Sequence, residues 1–195
     1  MTYIELLEII LSDDVFNKFK QNEQEIFELI PELKVCKGFE QNNKWHIYDV
    51  YEHILHVVSL VENNKILRLS ALFHDIGKPL TFILDQDGIG HFYNHWNKSI
   101  EIFKNYQNNF GLSKEEIYLI SNLIFYHDVN IEKMEINDLK NMMNLIGKDN
   151  VKLLFSLKRA DLLSQSPDFH YLIKNINNQE KNVINNKILI KEYDE

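Results

Sequence analysis

The spacing of apolar residues constrains the fold of this 195-residue chain more than any other feature, because it follows the α-helical period through most segments. In the segment 48–62, for example, Val50, Ile54, Val57 and Val61 fall on one face of a helix. Only six Gly and three Pro are present, which leaves little material for strands joined by tight turns. We therefore predict an all-α bundle of about seven to nine helices without a convincing sheet.

Local signals set the expected bounds of these helices. Pro31 is expected to stop a short second helix, and Asp87-Gly88 predicts a turn in a small hairpin or a loop. Ser113 followed by Glu116 is a capping-box pattern, which indicates that a helix begins there. The predicted helices cover residues 3–19, 23–30, 48–62, 66–76, 97–108, 114–127, 137–143 and 149–164.

Cysteine content and the first residues indicate the cellular setting. The single Cys36 rules out an internal disulfide, which makes a cytosolic setting the simpler interpretation. The segment after Met1 has neither a basic n-region nor a small-residue cleavage site, so no signal peptide is expected. No apolar run reaches the roughly 18 residues of a membrane span. We therefore expect a cytoplasmic protein without a membrane partner.

The charge of the chain limits its partners. The net charge is −8, and no basic patch stands out in the sequence. Proteins that bind duplex nucleic acid usually carry such a patch, because phosphate contacts supply most of their affinity. If this protein handles phosphate, the positive charge should come from elsewhere, and bound cations are one source.

Polar side chains interrupt the apolar stripes at a few inward-facing positions. The stretch LRLSALFHDIGKPL ends an apolar helix with His74 and Asp75, neither of which core packing needs. His53 lies at the edge of the apolar face of its helix, and His127 and Asp161 each continue an apolar stripe. A carboxylate on such a stripe is costly unless it is paired or ligates a metal.

Histidine and aspartate together indicate a metal site with open coordination positions. Neutral imidazole and carboxylate suit divalent first-row ions, and the lack of a second Cys excludes a closed thiolate zinc site. Each residue also has a structural interpretation, since an inward His can be a hydrogen-bonded core residue and Asp161 can pair with Arg159 or Lys158. The remaining histidines are interpreted as structural: His46, His56, His91 and His170.

Five blocks of the sequence, taken in chain order, contain the candidate His and Asp ligands. The first two are DVYEHILHVV, with His53, and HDIGKP, with the His-Asp pair. GHFYNHWNKS contains His95, LISNLIFYHD contains His127, and LLFSLKRADLLSQS contains Asp161. Together the blocks resemble the HD-domain metal-dependent phosphohydrolases. The stretch IPELKVCKGFEQNNKWHIYDVYEH, residues 30–53, looks like the approach to the HD region in bacterial tRNA nucleotidyltransferases and poly(A) polymerases. The resemblance covers about residues 31–166 of a single domain expected to span 1–195.

The resemblance implies an all-helical fold and a site for one or two divalent ions. The implied ligands of a first ion are His53, His74, Asp75 and Asp161. A second ion would be held by His95 and His127, with Asp75 shared between the two ions. A site of this kind accepts Mn, Ni, Fe, Co, Zn or Mg. Asp75 would orient the attacking water and accept its proton, and Lys78 would contact a substrate phosphate. The structural alternative for Lys78 is an exposed side chain at a helix end.

Hydrolysis of phosphomonoesters or phosphodiesters is the function that the resemblance implies. The expected substrate is a small phosphorylated molecule such as a nucleotide, a 2',3'-cyclic nucleotide or an RNA-end phosphate. The alternatives are a metal-bound nucleotide sensor or partner-binding module without catalysis, and a triphosphohydrolase that acts on deoxynucleotides. The segment before His53 is too short for the polymerase head of the relatives, so nucleotide addition to tRNA is not expected. The acidic charge disfavours tRNA or an RNA end as a partner.

Overall fold

The computed structural model describes residues 1–191 as a helical bundle with one two-stranded hairpin, which confirms the predicted all-α class. Within that range, no helix combines the length and the apolar character that crossing a bilayer requires. The strands are β1 (Ile83–Leu84) and β2 (Gly90–His91). The α-helices are α1 (Tyr3–Ile10), α2 (Val15–Gln21), α3 (Glu23–Leu29), α4 (Pro31–Cys36), α5 (Val50–Leu60), α6 (Lys65–Phe73), α7 (His95–Tyr106), α8 (Lys114–Tyr126), α9 (Ile136–Ile146), α10 (Val151–Leu163) and α11 (Ile173–Lys191).

The described range contains eleven α-helices, so the expected number of seven to nine was too low. The predicted helix 3–19 is divided, because Ser12 Oγ donates to the Ile9 carbonyl oxygen at 2.8 Å and closes the end of α1. Pro31 ends α3 as predicted, but it also begins α4, because the first residue of a helix needs no N–H donor. The Asn-rich segment from Asn175 to Asn186 has no strong apolar period, so its sequence allows either a solvated helix or a loose tail, and the structure shows the helix α11.

The capping signals of the sequence are present in the structure. The Ser113 hydroxyl accepts a hydrogen bond from the Glu116 backbone N–H at 3.2 Å, and a Glu116 carboxylate oxygen accepts from the Ser113 N–H at 2.8 Å. The capping box therefore fixes the beginning of α8, as predicted. Asp49 caps α5 in a similar way, because its Oδ1 atom accepts from the Glu52 N–H at 2.7 Å.

The turn at Asp87-Gly88 joins β1 and β2 in an antiparallel hairpin. Gly88 has a φ of +76°, a conformation that favours glycine. The hairpin also contacts the loop before α5, because the Gly90 N–H donates to the Asn42 carbonyl oxygen at 2.8 Å. A Cβ atom on Gly90 would overlap the backbone of Gln41, so glycine is needed for this close approach.

The core lies between α5, α6, α8 and α10, which pack on one another. Their buried faces contribute large apolar side chains such as Ile54, Leu72 and Leu157. Burial of this apolar surface is the main source of stability of the bundle. The ends of α6 and α8, the middle of α5 and the last turns of α10 meet at one edge of the core, together with the beginning of α7.

Candidate metal centre

The His-Asp pair lies directly after the end of α6, in a turn that α7 holds in place. His74 is the C-terminal cap of α6, and Asp75 follows it. In α7, the buried Ser99 hydroxyl accepts from the Gly77 N–H at 3.0 Å and donates to the His74 carbonyl oxygen at 2.8 Å. A Cβ atom on Gly77 would overlap the backbone of His95 and Ser99, so only glycine permits this contact.

Four of the predicted ligands form one compact group. His53 Nε2, which comes from α5, lies 3.1 Å from Asp75 Oδ2 and 3.0 Å from Asp161 Oδ1. His74 Nε2 lies 3.3 Å from the same Asp75 oxygen and 3.4 Å from His53 Nε2. Because one atom from each residue falls within 4.8 Å of every other, this first ligand set could hold a metal ion.

The two other predicted ligands meet the second oxygen of Asp75. His95 Nε2, at the first position of α7, lies 3.0 Å from Asp75 Oδ1. His127 Nε2, just after α8, lies 3.5 Å from Asp75 Oδ1 and 3.2 Å from His95 Nε2. The structure therefore brings all six predicted side chains together, and Asp75 contributes one oxygen to each of two ligand sets. This second ligand set could hold a further ion.

Backbone carbonyls orient the histidine rings. The Nδ1 atoms of His74, His95 and His127 lie 2.7, 2.9 and 2.6 Å from the carbonyl oxygens of Ala71, Phe92 and Ile124. In each case that carbonyl belongs to the residue three positions earlier in the chain. A carbonyl oxygen only accepts, so Nδ1 carries the proton of the neutral ring and Nε2 presents a lone pair.

The cluster has the electronic character of a cation site. The lone pairs of the imidazole Nε2 atoms point at the carboxylate oxygens, and such pairs repel unless a proton or a metal ion lies between them. Asp75 Oδ1 is buried and accepts no hydrogen bond, although two imidazole nitrogens lie within 3.5 Å of it. A buried carboxylate oxygen without a donor is costly in the absence of a cation. The donor set, nitrogen and oxygen without sulfur, fits a divalent first-row ion.

In the metal-free protein, a proton on His53 compensates part of the negative charge of the Asp75 and Asp161 carboxylates. Burial opposes a charge on the His53 ring, but hydrogen bonds to Asp161 and Asp75 outweigh it and raise the pKa of His53 to about 9. Burial lowers the pKa of His74, so its ring is neutral. Burial favours the protonated acid at Asp161 and Asp75, yet the facing cations and donors hold both carboxyl pKa values below their usual range.

Lys78 is buried beside the cluster, and the alternative of an exposed lysine is wrong. Its side chain is 7% exposed, and its ammonium lies 2.7 Å from Asp75 Oδ2. It donates to Gln41 Oε1 at 2.8 Å and lies 3.5 Å from His46 Nε2. The ammonium carries three protons, so each of these acceptors can take one.

The salt-bridge alternative for Asp161 is also wrong, because neither basic neighbour pairs with it. Arg159 pairs with Glu180 of α11 at 2.6 Å. Lys158 is buried and donates to the carbonyl oxygens of Tyr126, His127 and Val129 at 3.3, 2.5 and 2.9 Å. Burial lowers the pKa of Lys158 to about 8. Lys158 thereby holds the chain around His127, and Asp161 is left to face His53.

Sequence reasoning missed two residues of the site. His46 was interpreted as structural, but its ring lies 5.1 Å from that of His53 and it lines the same cavity as Lys78. Gln41 was not considered, although it is buried and binds Lys78. Both lie in a loop without helical periodicity, so no pattern in the sequence predicted that their side chains reach the site. The other histidines with a structural interpretation lie outside both ligand sets: His56, His91 and His170.

Two cavities open from the metal centre. The first, with a volume of about 320 Å³, lies between α10, α11 and the chain after α8, and we call it the amide cavity. The second, of about 300 Å³, lies between the hairpin, α7 and Lys78, and we call it the aromatic cavity. Their linings share His127, Asp128, Asp161 and Gln165, so the cavities meet at the metal centre.

Comparison with known proteins points to one family. The HD domain family model matches residues 45–165, a range that contains all six ligand candidates. The Multifunctional CCA protein of Shewanella frigidimarina is 37% identical over 97 residues, which are 48% of this chain and 23% of that protein. An uncharacterized protein of Clostridium beijerinckii is 34% identical over 110 residues, which are 51% of this chain and 65% of that protein. The chain thus spans less than two thirds of either relative.

The matched range covers more than half of the chain, and within it the His-Asp turn and the two ligand sets occur where the fold brings them together. We conclude that this protein belongs to the HD domain family, within the superfamily of metal-dependent phosphohydrolases.

Proposed function

We propose that this protein hydrolyses phosphate esters of nucleotides with the help of two divalent ions. The observation that supports this proposal is the sharing of Asp75 between two ligand sets, each with its own pair or trio of further ligands. When bound, a pair of divalent ions supplies positive charge for phosphoryl oxygens and a water nucleophile at neutral pH. The proposed ligands are His53, His74, Asp75 and Asp161 for one ion, and Asp75, His95 and His127 for the other.

Lys78 is the proposed contact of the chain with the reacting phosphate. Of its three acceptors, Asp75 and Gln41 lie below 2.9 Å, whereas His46 Nε2 lies at 3.5 Å. The contact with His46 is the weakest, so Lys78 would exchange it for a phosphoryl oxygen and stabilise the charge that develops there. Burial lowers the pKa of His46 to about 2, so this ring stays neutral and does not repel the ammonium.

Asp75 keeps the role in orienting water that the resemblance implies. Burial raises the pKa of its carboxyl group, but the neighbouring imidazoles and the Lys78 ammonium outweigh this effect and hold the pKa well below the usual range. Asp75 is therefore ionised at neutral pH, and its two oxygens face the two halves of the site. Its further role as a proton acceptor stays a prediction.

A triphosphate is a poorer substrate for this site than a mono- or diester. The only Lys or Arg side chains that line the two described cavities are Lys78 and Lys158. Lys158 donates to three backbone carbonyls, and Lys78 is held by Asp75 and Gln41. A chain of three phosphates needs several free positive groups, so the cavities favour a substrate with a single phosphate at the metal centre.

The test is turnover by purified protein loaded with Mn²⁺, Ni²⁺ or Co²⁺. The panel consists of bis(p-nitrophenyl) phosphate, 2',3'-cAMP, 2'-AMP and a deoxynucleoside triphosphate. We expect hydrolysis of at least one mono- or diester with release of a single phosphate group or an alcohol. Release of tripolyphosphate would identify the triphosphohydrolase instead. Saturable nucleotide binding without turnover with any of the ions would favour the sensor and overturn our proposal.

A pair of histidine variants on one helix provides the control. His53→Ala removes a proposed ligand and should abolish turnover. His56→Ala lies three positions further along α5, where the ring stacks on Tyr48 outside the cluster. Activity of His56→Ala should stay within about three-fold of wild type, since the substitution lies away from the site. Equal loss in both variants would point to damage of α5 instead of loss of a ligand.

A further inference from the structure

We propose that the amide cavity is a subsite for an uncharged nucleoside, so that the substrate is a linear phosphodiester with one nucleoside on each side of the phosphorus. This inference rests on the proposed function and narrows it. The two cavities meet at His127, Asp128, Asp161 and Gln165, which border the metal centre. A phosphate at the centre therefore has room on both of its sides, whereas a monoester would fill only one cavity.

The amide cavity is lined by groups that suit a neutral partner with hydrogen bonds. Four carboxamide residues from three parts of the chain line it, namely Asn130, Gln165, Asn175 and Gln179. Carboxamides offer both donors and acceptors, as do the edge of a nucleobase and the hydroxyls of a ribose.

Charge excludes a second phosphate from the amide cavity. Asp128, Glu132 and Asp161 line it, and they would repel an anion. Lys158 is the one cation in its described lining, but all three of its ammonium protons are directed to backbone carbonyls. The cavity therefore fits a leaving group that is uncharged, such as a nucleoside bound through its hydroxyl oxygen.

The aromatic cavity has flat surfaces for a base. Phe92, Tyr93 and Trp96 line it beside Lys78. Tyr93 is 63% exposed, and its ring stacks on that of His91 with an interplanar angle of 6°. Bases stack on such faces without strong sequence preference, because every base has a π surface. The part of the substrate that keeps the phosphate would lie here.

The reaction that follows is hydrolysis of one ester bond. The oxygen of water forms a new bond to phosphorus, and the bond from phosphorus to the oxygen of the nucleoside in the amide cavity breaks. One proton of the water ends on that leaving oxygen, and the other is released to solvent. The products are a nucleoside and a nucleotide with a terminal phosphomonoester, and no oxidant or second substrate is needed.

The experiment compares a dinucleoside monophosphate with its monoester halves. Protein loaded with Mn²⁺ is assayed with ApA, 3'-AMP and 5'-AMP, and products are separated by chromatography. We expect kcat/KM for ApA to exceed that for either monoester by about 10-fold or more, because only ApA fills both cavities. Faster turnover of a monoester than of ApA would overturn this inference and leave the proposed function in place. If ApA, both monoesters and bis(p-nitrophenyl) phosphate all stay intact, the proposed function itself fails.

Two adjacent residues of α11 test the amide cavity directly. Gln179 lines the cavity, whereas the exposed Asn178 beside it does not. Gln179→Ala should raise KM for ApA about 5- to 10-fold, as expected for loss of a hydrogen bond to a neutral group. Asn178→Ala should leave KM unchanged, and thermal unfolding checks that both variants fold. An unchanged KM in Gln179→Ala would contradict a nucleoside subsite in this cavity.

The fluorescence of Trp96 can measure binding in the aromatic cavity without turnover. The chain has two Trp residues, and Trp45→Phe leaves Trp96 as the single indole. A phosphorothioate analogue of ApA, which is cleaved slowly, should quench the fluorescence of Trp96 on stacking. Absence of quenching at saturating analogue would refute base binding in the aromatic cavity.

Discussion

Replacing Ser99 with Ala should loosen the attachment of the His-Asp turn to α7 and thereby lower the stability of the protein. The Ser99 hydroxyl joins the Gly77 N–H and the His74 carbonyl, at 3.0 and 2.8 Å, in a buried position. Its loss leaves one buried donor and one buried acceptor without this partner. Each such group costs about 1–3 kcal/mol, so with partial relaxation we expect a loss of about 2–4 kcal/mol in the free energy of unfolding. For a domain of this size, that corresponds to about 4–16 °C in the melting temperature.

Ser70→Ala is the matched control for this prediction. Ser70 is equally buried, but its hydroxyl donates only to the Ile66 carbonyl within α6, and that oxygen keeps its helical N–H partner. We expect a loss below about 1 kcal/mol. Urea unfolding of both variants in EDTA gives the difference. Titration with Mn²⁺ should show weaker binding only in Ser99→Ala, by about 10-fold, because the turn that carries His74 is less well held.

Equal stabilities of Ser99→Ala and Ser70→Ala, together with unchanged Mn²⁺ affinity, would refute the role of the Ser99 hydroxyl in holding the His-Asp turn on α7.

Three further predictions follow from the site. His95→Ala should reduce the bound metal from two ions to one per chain, as measured by elemental analysis; loss of both or of neither would contradict a separate second ligand set. In metal-free protein, His53 has a folded pKa of about 9, above the ordinary unfolded value near 6.5, so its stabilisation is complete at low pH and is lost as the pH rises. The difference in unfolding free energy between wild type and His53→Gln, from urea unfolding in EDTA, should therefore decrease by about 2 kcal/mol between pH 6 and 8. This difference removes the opposite contributions of His46, His74 and Lys158, whose pKa values burial lowers, and a constant or rising difference would contradict the prediction. Gly90→Ala should lower the free energy of unfolding by about 1–3 kcal/mol and reduce turnover, because the added Cβ atom would displace the loop that binds Lys78. Full activity with wild-type stability would contradict a close contact between Gly90 and this loop.

The sequence was most informative where a residue lies on a helix with a clear apolar face. The helical period fixes the direction of a side chain relative to the core, which is why His53, His127 and Asp161 were predicted to point inward. His74 and Asp75 were found because they end an apolar helix. His95 begins α7 beyond any apolar stripe of its own, so only the resemblance to the family suggested it.

Contacts between distant segments were not readable from local patterns. Gln41 and His46 reach the site from a loop whose path depends on the close approach of Gly90. Lys158 was considered as a partner of Asp161, but the carbonyls at the end of α8 attract it instead. Those carbonyls belong to the end of α8 and the residues just after it, where the N–H partners of a continuing helix are missing, and the sequence of α10 alone does not reveal that they lie nearby.

Anomalous diffraction from crystals grown with Mn²⁺ would test the central claim most directly. We predict two peaks at the manganese edge, one bounded by His53, His74, Asp75 and Asp161 and the other by Asp75, His95 and His127. A single peak in the first position would reduce the site to one ion. No peak among these side chains at saturating Mn²⁺ would contradict a metal centre at the junction of α5, α6, α7, α8 and α10.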